Sequence, residues 1–218
     1  MCVGVVAWNA HPQWRLIAAA NRDEFHDRPT APLARWDGPE GIMAGRDLTA
    51  GGTWLGVSAA GRFAFVTNYR IDGAMPAPRG SRGALVTDWL TGQAAPAPET
   101  LNPFNCIMID GGNRAIFVTN QPCAEQHDLL PGVHGLSNGP FHEPWPKTSR
   151  LDSALRAMLD SATGDPATLF DALRDETPPE GEPLSGPGPA FPAIFVRSPA
   201  YGTRCSTVVA IAADGAGW

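Results

Sequence analysis

Short apolar or β-branched runs bounded by Gly, Pro, Asn or Asp recur along the chain at 2–8, 15–21, 41–46, 54–58, 63–68, 105–110, 115–120, 193–197 and 206–212. Runs of this length with such borders predict strands. Between two of them stands Asp110-Gly111-Gly112-Asn113, which predicts a hairpin whose glycines accept positive φ. A second periodicity appears after residue 148. Leu151, Ala154, Leu155, Met158, Leu159 and Ala162 follow the i, i+3, i+4, i+7, i+8, i+11 spacing of a buried helical face, with Thr148 or Ser149 as the predicted cap. Asp165-Pro166 predicts the start of another helix, with Pro178-Pro179 beyond its end, and a third is expected over about 81–90.

Many strands and few helices give an α+β class, and composition agrees with it. Gly (24) and Pro (22) together make 46 of 218 residues, enough turn-formers for a strand-rich fold and without the period of a fibrous one. Hydrophobic residues reach 43% and charged residues only 17%, so the chain can bury a core. The segment 178–192, with six prolines, reads as an irregular surface loop, yet only 26 residues follow it. Too few remain for another domain, so 1–218 is expected to form one domain whose last strands return to the main sheets.

A formal net charge of -6, a single lysine (Lys147) and dispersed arginines argue against a nucleic-acid partner. No apolar run approaches the ~18 residues of a membrane span, and the N-terminus lacks the basic region of a signal peptide. A cytoplasmic location is the expectation. Cys2, Cys106, Cys123 and Cys205 show no C-x-x-C pairing, and the five histidines keep no ligand spacing, so no metal site is expected. Cys106 and Cys205 read as buried small hydrophobes, Cys123 as a loop thiol.

Polar residues concentrate where apolar strands end. Asn21-Arg22-Asp23-Glu24, Asn68-Tyr69-Arg70, Leu136-Ser137-Asn138 and Tyr201-Gly202-Thr203-Arg204 are the four places, and strand ends of a rigid sheet commonly carry function. Asn120 and Arg46-Asp47 read instead as turn-forming residues. Cys2 is singled out by position. Removal of Met1 would leave a cysteine carrying both a free α-amine, which titrates near ~8, and a thiol near ~8.5, so that the amine can act as base for the sulfur. Arg22 nearby would favour the thiolate, Asp23 would orient the amine, and Asn68 and Asn138 would donate to an oxyanion. Such a set suits amide hydrolysis through a thioester.

Met1-Cys2 leading into a strand, Asn21-Arg22-Asp23-Glu24, Gly52-Thr53-Trp54-Leu55-Gly56, Thr67-Asn68-Tyr69, Arg82-Gly83, Leu136-Ser137-Asn138, Pro144-Trp145-Pro146-Lys147 and Tyr201-Gly202-Thr203-Arg204 together resemble the NRDE-motif proteins, the transport and Golgi organisation family. The resemblance spans the chain and keeps motif order. It implies an N-terminal nucleophile hydrolase-like fold, a four-layer αββα sandwich of two antiparallel sheets between helical layers. By similarity to bile salt and penicillin V hydrolases in that superfamily, it implies Cys2 as nucleophile, with Arg22, Asp23, Asn68, Asn138 and Arg204 as its catalytic partners. Asn21, Glu24, Trp54, Tyr69 and Arg70 are implied as substrate-binding residues. Those hydrolases separate the Arg from the Asp, whereas Arg22 and Asp23 are adjacent and should face opposite ways on a continuous strand. The implied activity is hydrolysis of a linear amide or acyl conjugate, with no cofactor required. Eukaryotic relatives imply the alternative, a carrier of haem or of acyl-coenzyme A and lipid that uses the same cleft without catalysis.

Overall fold

The computed structural model describes residues 2–38, 40–71, 79–178 and 193–214, so most of the proline-rich segment lies outside the described residues. The chain divides into two compact units, Met1–His26 with Pro131–Trp218, and Asp27–Leu130. Each is an antiparallel sheet with helix packed on one face, so the α+β class with two antiparallel sheets is borne out.

In the first unit β1 (Val3–His11) and β2 (Trp14–Phe25) are central, flanked by β10 (Gly132–Leu136) and β11 (Tyr201–Ala212), in the order β10-β1-β2-β11. Val3, Val5, Ala7, Ile17 and Ala19 turn to one face, where Leu151, Leu155, Met158 and Leu159 of α2 (Pro146–Asp160) and Leu169 and Leu173 of α3 (Leu169–Leu173) cover them. The small side chains of β2 admit this close layer. Predicted and observed helix starts differ: α2 begins at Pro146, not after Thr148 or Ser149. Proline at the first helical position needs no N–H partner, and the Trp145 carbonyl accepts from Thr148 N at 2.8 Å and Ser149 N at 3.0 Å. Thr148 is instead buried against Gly135, where an added Cβ would stand 2.4 Å from its Cγ2. Ala162 lies beyond the helix and is exposed. Asp165 does cap the turn Pro166–Thr168 that leads into α3, accepting from Ala167 N at 2.9 Å.

In the second unit seven strands run in the order β3-β4-β5-β6-β7-β8-β9: β3 (Thr30–Arg35), β4 (Met43–Asp47), β5 (Leu55–Val57), β6 (Phe63–Asn68), β7 (Phe104–Ile109), β8 (Ala115–Thr119) and β9 (Glu125–Asp128). Leu85, Val86 and Leu90 of α1 (Arg82–Thr91) pack on Ala64, Val66, Phe104, Cys106 and Met108. The repeated Phe-Val-Thr-Asn tetrads end the strands on either side of β7, with Thr67 and Thr119 both opposite Asn105. The β7–β8 turn forms as expected but for another reason. Neither Gly111 nor Gly112 has positive φ; Asp110 Oδ1 holds the turn by accepting from Gly112 N at 2.9 Å and Arg114 N at 3.0 Å.

Three strands were not expected, β3, β9 and β10, and one expected strand, 193–197, is reduced to a single antiparallel bridge between Arg197 and Gly202. There the backbone is engaged by other partners: Phe195 N donates to Asp175 O at 2.8 Å and Val196 N to Thr203 Oγ1 at 2.9 Å. No helix among the described residues is long and apolar enough to cross a membrane.

Candidate active site

The site is built on the first unit's sheet, where β1, β2 and β11 run side by side. Val3 pairs with Asn21, so Cys2 stands one step further on, alongside Arg22. On the other side of β2, Arg22 pairs with Cys205 and Asp23 with Thr203. Between those two pairs the register shifts, and Arg204 is the extra residue of the bulge. Strand β2 continues without a break to Phe25, and successive side chains alternate faces. Asn21 and Asp23 therefore share the helix-bearing face with Ile17 and Ala19, while Arg22 and Glu24 share the opposite face.

On the Arg22 face, Cys2, Arg22 and Cys205 form one row across three strands. Cys2 and Arg22 are buried, and Arg22 Nη2 lies 3.7 Å from Glu24 Oε2. Burial pushes the Cys205 thiol up to about 11, against the Arg22 charge, which lowers it. All four cysteines are free thiols: Cys2 and Cys106 buried, Cys205 half-buried and Cys123 exposed.

On the helix-bearing face the polar groups are tied to the protein itself. Asn21 is fully buried; its Nδ2 donates to Leu173 O at 2.8 Å and Ile194 O at 2.9 Å, and its Oδ1 accepts from Ser206 Oγ at 2.7 Å. Asp23 Oδ1 accepts from Thr203 Oγ1 at 2.7 Å, and its carbonyl accepts from the Tyr201 hydroxyl at 2.8 Å. Burial raises the Asp23 pKa, with Lys147 as the largest opposing influence.

The loop that leaves β10 brings Ser137 to Cys2 and Asn138 to Ser137. Ser137 Oγ lies 3.2 Å from Cys2 O and 3.4 Å from Asn138 Oδ1, and its one hydroxyl hydrogen serves one of them at a time. Asn138 is fully buried. The next residue, Gly139, meets Trp145 so closely that an added Cβ would lie 2.4 Å from its Nε1, which sets the head of α2 against this loop.

The first unit thus brings together Cys2, Arg22, Asp23 and Asn138 among the expected catalytic residues. Arg204 lies outside the Cys2 row: its Nη1 donates to Phe25 O at 2.7 Å and His26 O at 2.9 Å, bracing the end of β2. Asn68, Tyr69, Arg70 and Trp54 belong to the second unit. Asn68 ends β6 opposite Phe104, Tyr69 N donates to Pro103 O at 2.9 Å, Arg70 follows half-buried, and Trp54 packs against the core beneath α1. Sequence reasoning passed over Ser137, Thr203, Cys205 and Lys147 as site residues. A signal existed for the last, the only lysine in the chain and the end of a Pro-Trp-Pro-Lys motif. Among the described residues, no group of three or more His, Cys, Asp or Glu side chains is placed to hold a metal ion.

Two antiparallel sheets with their helices, and a cysteine at the head of a central strand, define an N-terminal nucleophile hydrolase-like fold. Solved structures of that class are similar over nearly the whole chain. An N-acylethanolamine-hydrolyzing acid amidase orthologue from Caenorhabditis elegans matches with a TM-score of 0.55 at 14% identity, covering 95% of this chain and 92% of that one. Penicillin V acylase from Agrobacterium tumefaciens matches with a TM-score of 0.57 at 16% identity, covering 95% and 79%. At such identities the likeness is one of fold. The family itself is narrower: residues 1–217 match the family model described as Transport and Golgi organisation 2, and the chain belongs to that family. Its mouse homologue is 31% identical over 99% of this chain and 90% of the relative.

Proposed function

We propose that this protein is an N-terminal-cysteine amidohydrolase acting on a small linear amide or acyl conjugate. The observation that carries the reading is the row formed by Cys2, Arg22 and Cys205, with Asn138 buried beside it and Ser137 Oγ 3.2 Å from the Cys2 carbonyl. Once Met1 is removed, the α-amine of Cys2 takes the thiol proton and the sulfur attacks the amide carbon. The carbonyl oxygen becomes an oxyanion, for which the buried Asn138 amide on the loop after β10 is the donor in this reading. Collapse breaks the C–N bond, the leaving amine carries away the proton held by the α-amine, and a thioester remains on Cys2. Water then adds to the thioester carbon and releases the acid and the free thiol.

Membership of a family described by transport supports a second reading, a carrier of haem or of an acyl thioester without turnover. One experiment separates the two. Untagged protein is weighed intact and then incubated with penicillin V and an N-acylethanolamine, amides named for the structurally similar enzymes. The hydrolase reading expects loss of Met1, a transient acyl adduct on Cys2 and release of acid that Cys2→Ala abolishes. A chain that keeps Met1 sinks this reading. Stoichiometric binding of haem or acyl-coenzyme A with no adduct and no acid released assigns it to the carrier.

A further inference from the structure

Lys147 occupies a position that ordinary stability would not choose for a lysine. It is the second residue of α2, at the positive end of the helix dipole, and the helix carries no acidic residue in its first turn. It is only 1% exposed, and its Nζ has no hydrogen-bond partner. The indole of Trp145 lies 5.8 Å from the nitrogen, a weak substitute for water. Burying an ammonium without hydrogen bonds is costly, and cations at a helix N-terminus add to that cost. What compensates lies at the head of the sheet, where the charges of Asp23 and Cys2 both favour the ammonium. Trp145 and Thr148, on either side of Lys147, pack on Gly139 and Gly135, and the stretch between those glycines carries Ser137 Oγ to 3.2 Å from Cys2 O. The close approaches of Trp145 to Gly139 and of Thr148 to Gly135 fix this first turn of α2 on β10 and the loop after it.

We propose that Lys147 is a positioning residue of the Cys2 site, its amine set at the head of α2 to hold together the charge of the Asp23 carboxylate and of the Cys2 sulfur. The catalytic meaning of this role rests on the hydrolase reading; the electrostatic role does not. Arg22 and Asp23 stand on opposite faces, so the Arg22 guanidinium is turned away from the Asp23 carboxylate, and the helix-bearing face needs a cation of its own. Lys147 supplies it from the Asp23 side. Burial lowers the Lys147 pKa, the charges of Asp23 and Cys2 oppose it, and the net direction is down. A buried lysine whose protonation depends on its neighbours is the usual form of a functional one. The charged and titratable groups facing Lys147 are Asp23 from β2 and Cys2, while Arg22 from β2 and Cys205 from β11 face Cys2 from the other side of the sheet.

The test uses the intact chain and exploits its single lysine. Protein labelled with 13C at lysine Cε gives one lysine resonance, so its shift against pH reads Lys147 without altering it. Cys2→Ser and Asp23→Asn are each expected to move that titration to lower pH, because each removes a charge that favours the ammonium. In parallel, the alkylation rate of Cys2 by iodoacetamide at pH 7.5, read by peptide mass, is expected to fall about tenfold in Lys147→Met and to recover in Lys147→Arg. A lysine titration indifferent to both Cys2→Ser and Asp23→Asn overturns the proposal, as does unchanged Cys2 alkylation in a folded Lys147→Met protein. The lysine titration stands even where Lys147→Met fails to fold. Coupled titrations in a protein that hydrolyses no amide would sink the hydrolase reading and leave this one in place.

Discussion

Arg22 and Asp23 are consecutive in β2 and stand on opposite faces of the four-stranded sheet, Arg22 paired with Cys205 and Asp23 with Thr203. The separation is the one that adjacency on a continuous strand predicts, and it makes the effects of the two charges distinguishable. Burial raises the Cys205 thiol to about 11, and the Arg22 charge is the strongest influence in the other direction. Replacing Arg22 by Gln should therefore slow alkylation of Cys205 at pH 9 several-fold, while Asp23→Asn should leave it within about twofold. Peptide mass spectrometry after timed iodoacetamide exposure checks both. Equal slowing by the two variants would mean that the faces are not electrostatically separate.

A steric prediction concerns the start of α1. Gly52 meets the backbone of Gly83 so closely that an added Cβ would lie 2.5 Å from its carbonyl carbon and 2.7 Å from its oxygen. Backbone cannot rotate aside as a side chain can. Gly52→Ala should thus cost about 3 kcal/mol, at the upper end of overpacking. Gly135→Ala meets only the Thr148 side chain and should cost less. Urea unfolding of the two variants gives the order directly, and a larger loss at Gly135 would contradict it.

How much of this was legible in the sequence depends on what each residue packs against. Strands with two neighbours, such as β6 and β7, are mostly apolar, and the sequence reading matches them nearly to the residue. β3, β9 and β10 were not, because all three are sheet edges. Thr30–Arg35 contains a proline and Glu125–Asp128 is exposed at every position, so neither shows the apolar pattern of a covered strand. The helix starting at Pro146 was misplaced because Thr148, which resembles a cap, is held by tertiary packing on Gly135. At the site, position along the chain points to Cys2, and strand-end polar residues together with motif resemblance point to Arg22, Asp23 and Asn138. Thr203 and Lys147 lie within the family motifs, yet their proximity to the site, like that of Cys205, arises from the β2–β11 register and from the seat of α2, neither of which local pattern encodes.

Asn120 was read as a turn residue, and the structure makes it a buried peg. Its Oδ1 accepts from Phe104 N at 2.9 Å, and its Nδ2 donates to Pro98 O at 2.9 Å and Leu101 O at 3.1 Å. Asn120→Ala leaves these groups without their partner and should cost about 3 kcal/mol. Asn120→Asp should cost at least as much, since it keeps the acceptor for Phe104 but turns a carboxylate oxygen on the carbonyls that Nδ2 served. Equilibrium unfolding measures both; an Asp variant as stable as the parent would show that the Nδ2 bonds contribute nothing.

Asp47 gives the second unit a pH dependence of known sign. Its Oδ2 accepts from Arg28 Nε at 2.6 Å, and its Oδ1 accepts from Thr49 N and Ala50 N, both at 3.0 Å. Burial pushes its pKa upward, but the Arg28 hydrogen bond and charge with the two backbone N–H groups outweigh it, so the net shift is below the ordinary 3.8. A carboxyl with a depressed folded pKa stabilises the fold fully above its unfolded value and loses that contribution as pH falls through the folded one. The window is therefore below about pH 4, and the neutral range should be flat for this group. Asp47→Ala removes the bonds at every pH and should cost about 2 kcal/mol at pH 7, with the gap to the parent narrowing as the pH falls below about 4. Urea midpoints for the two proteins between pH 3 and pH 7 check this, and a gap that widens on acidification would mean that Asp47 is not the group being protonated.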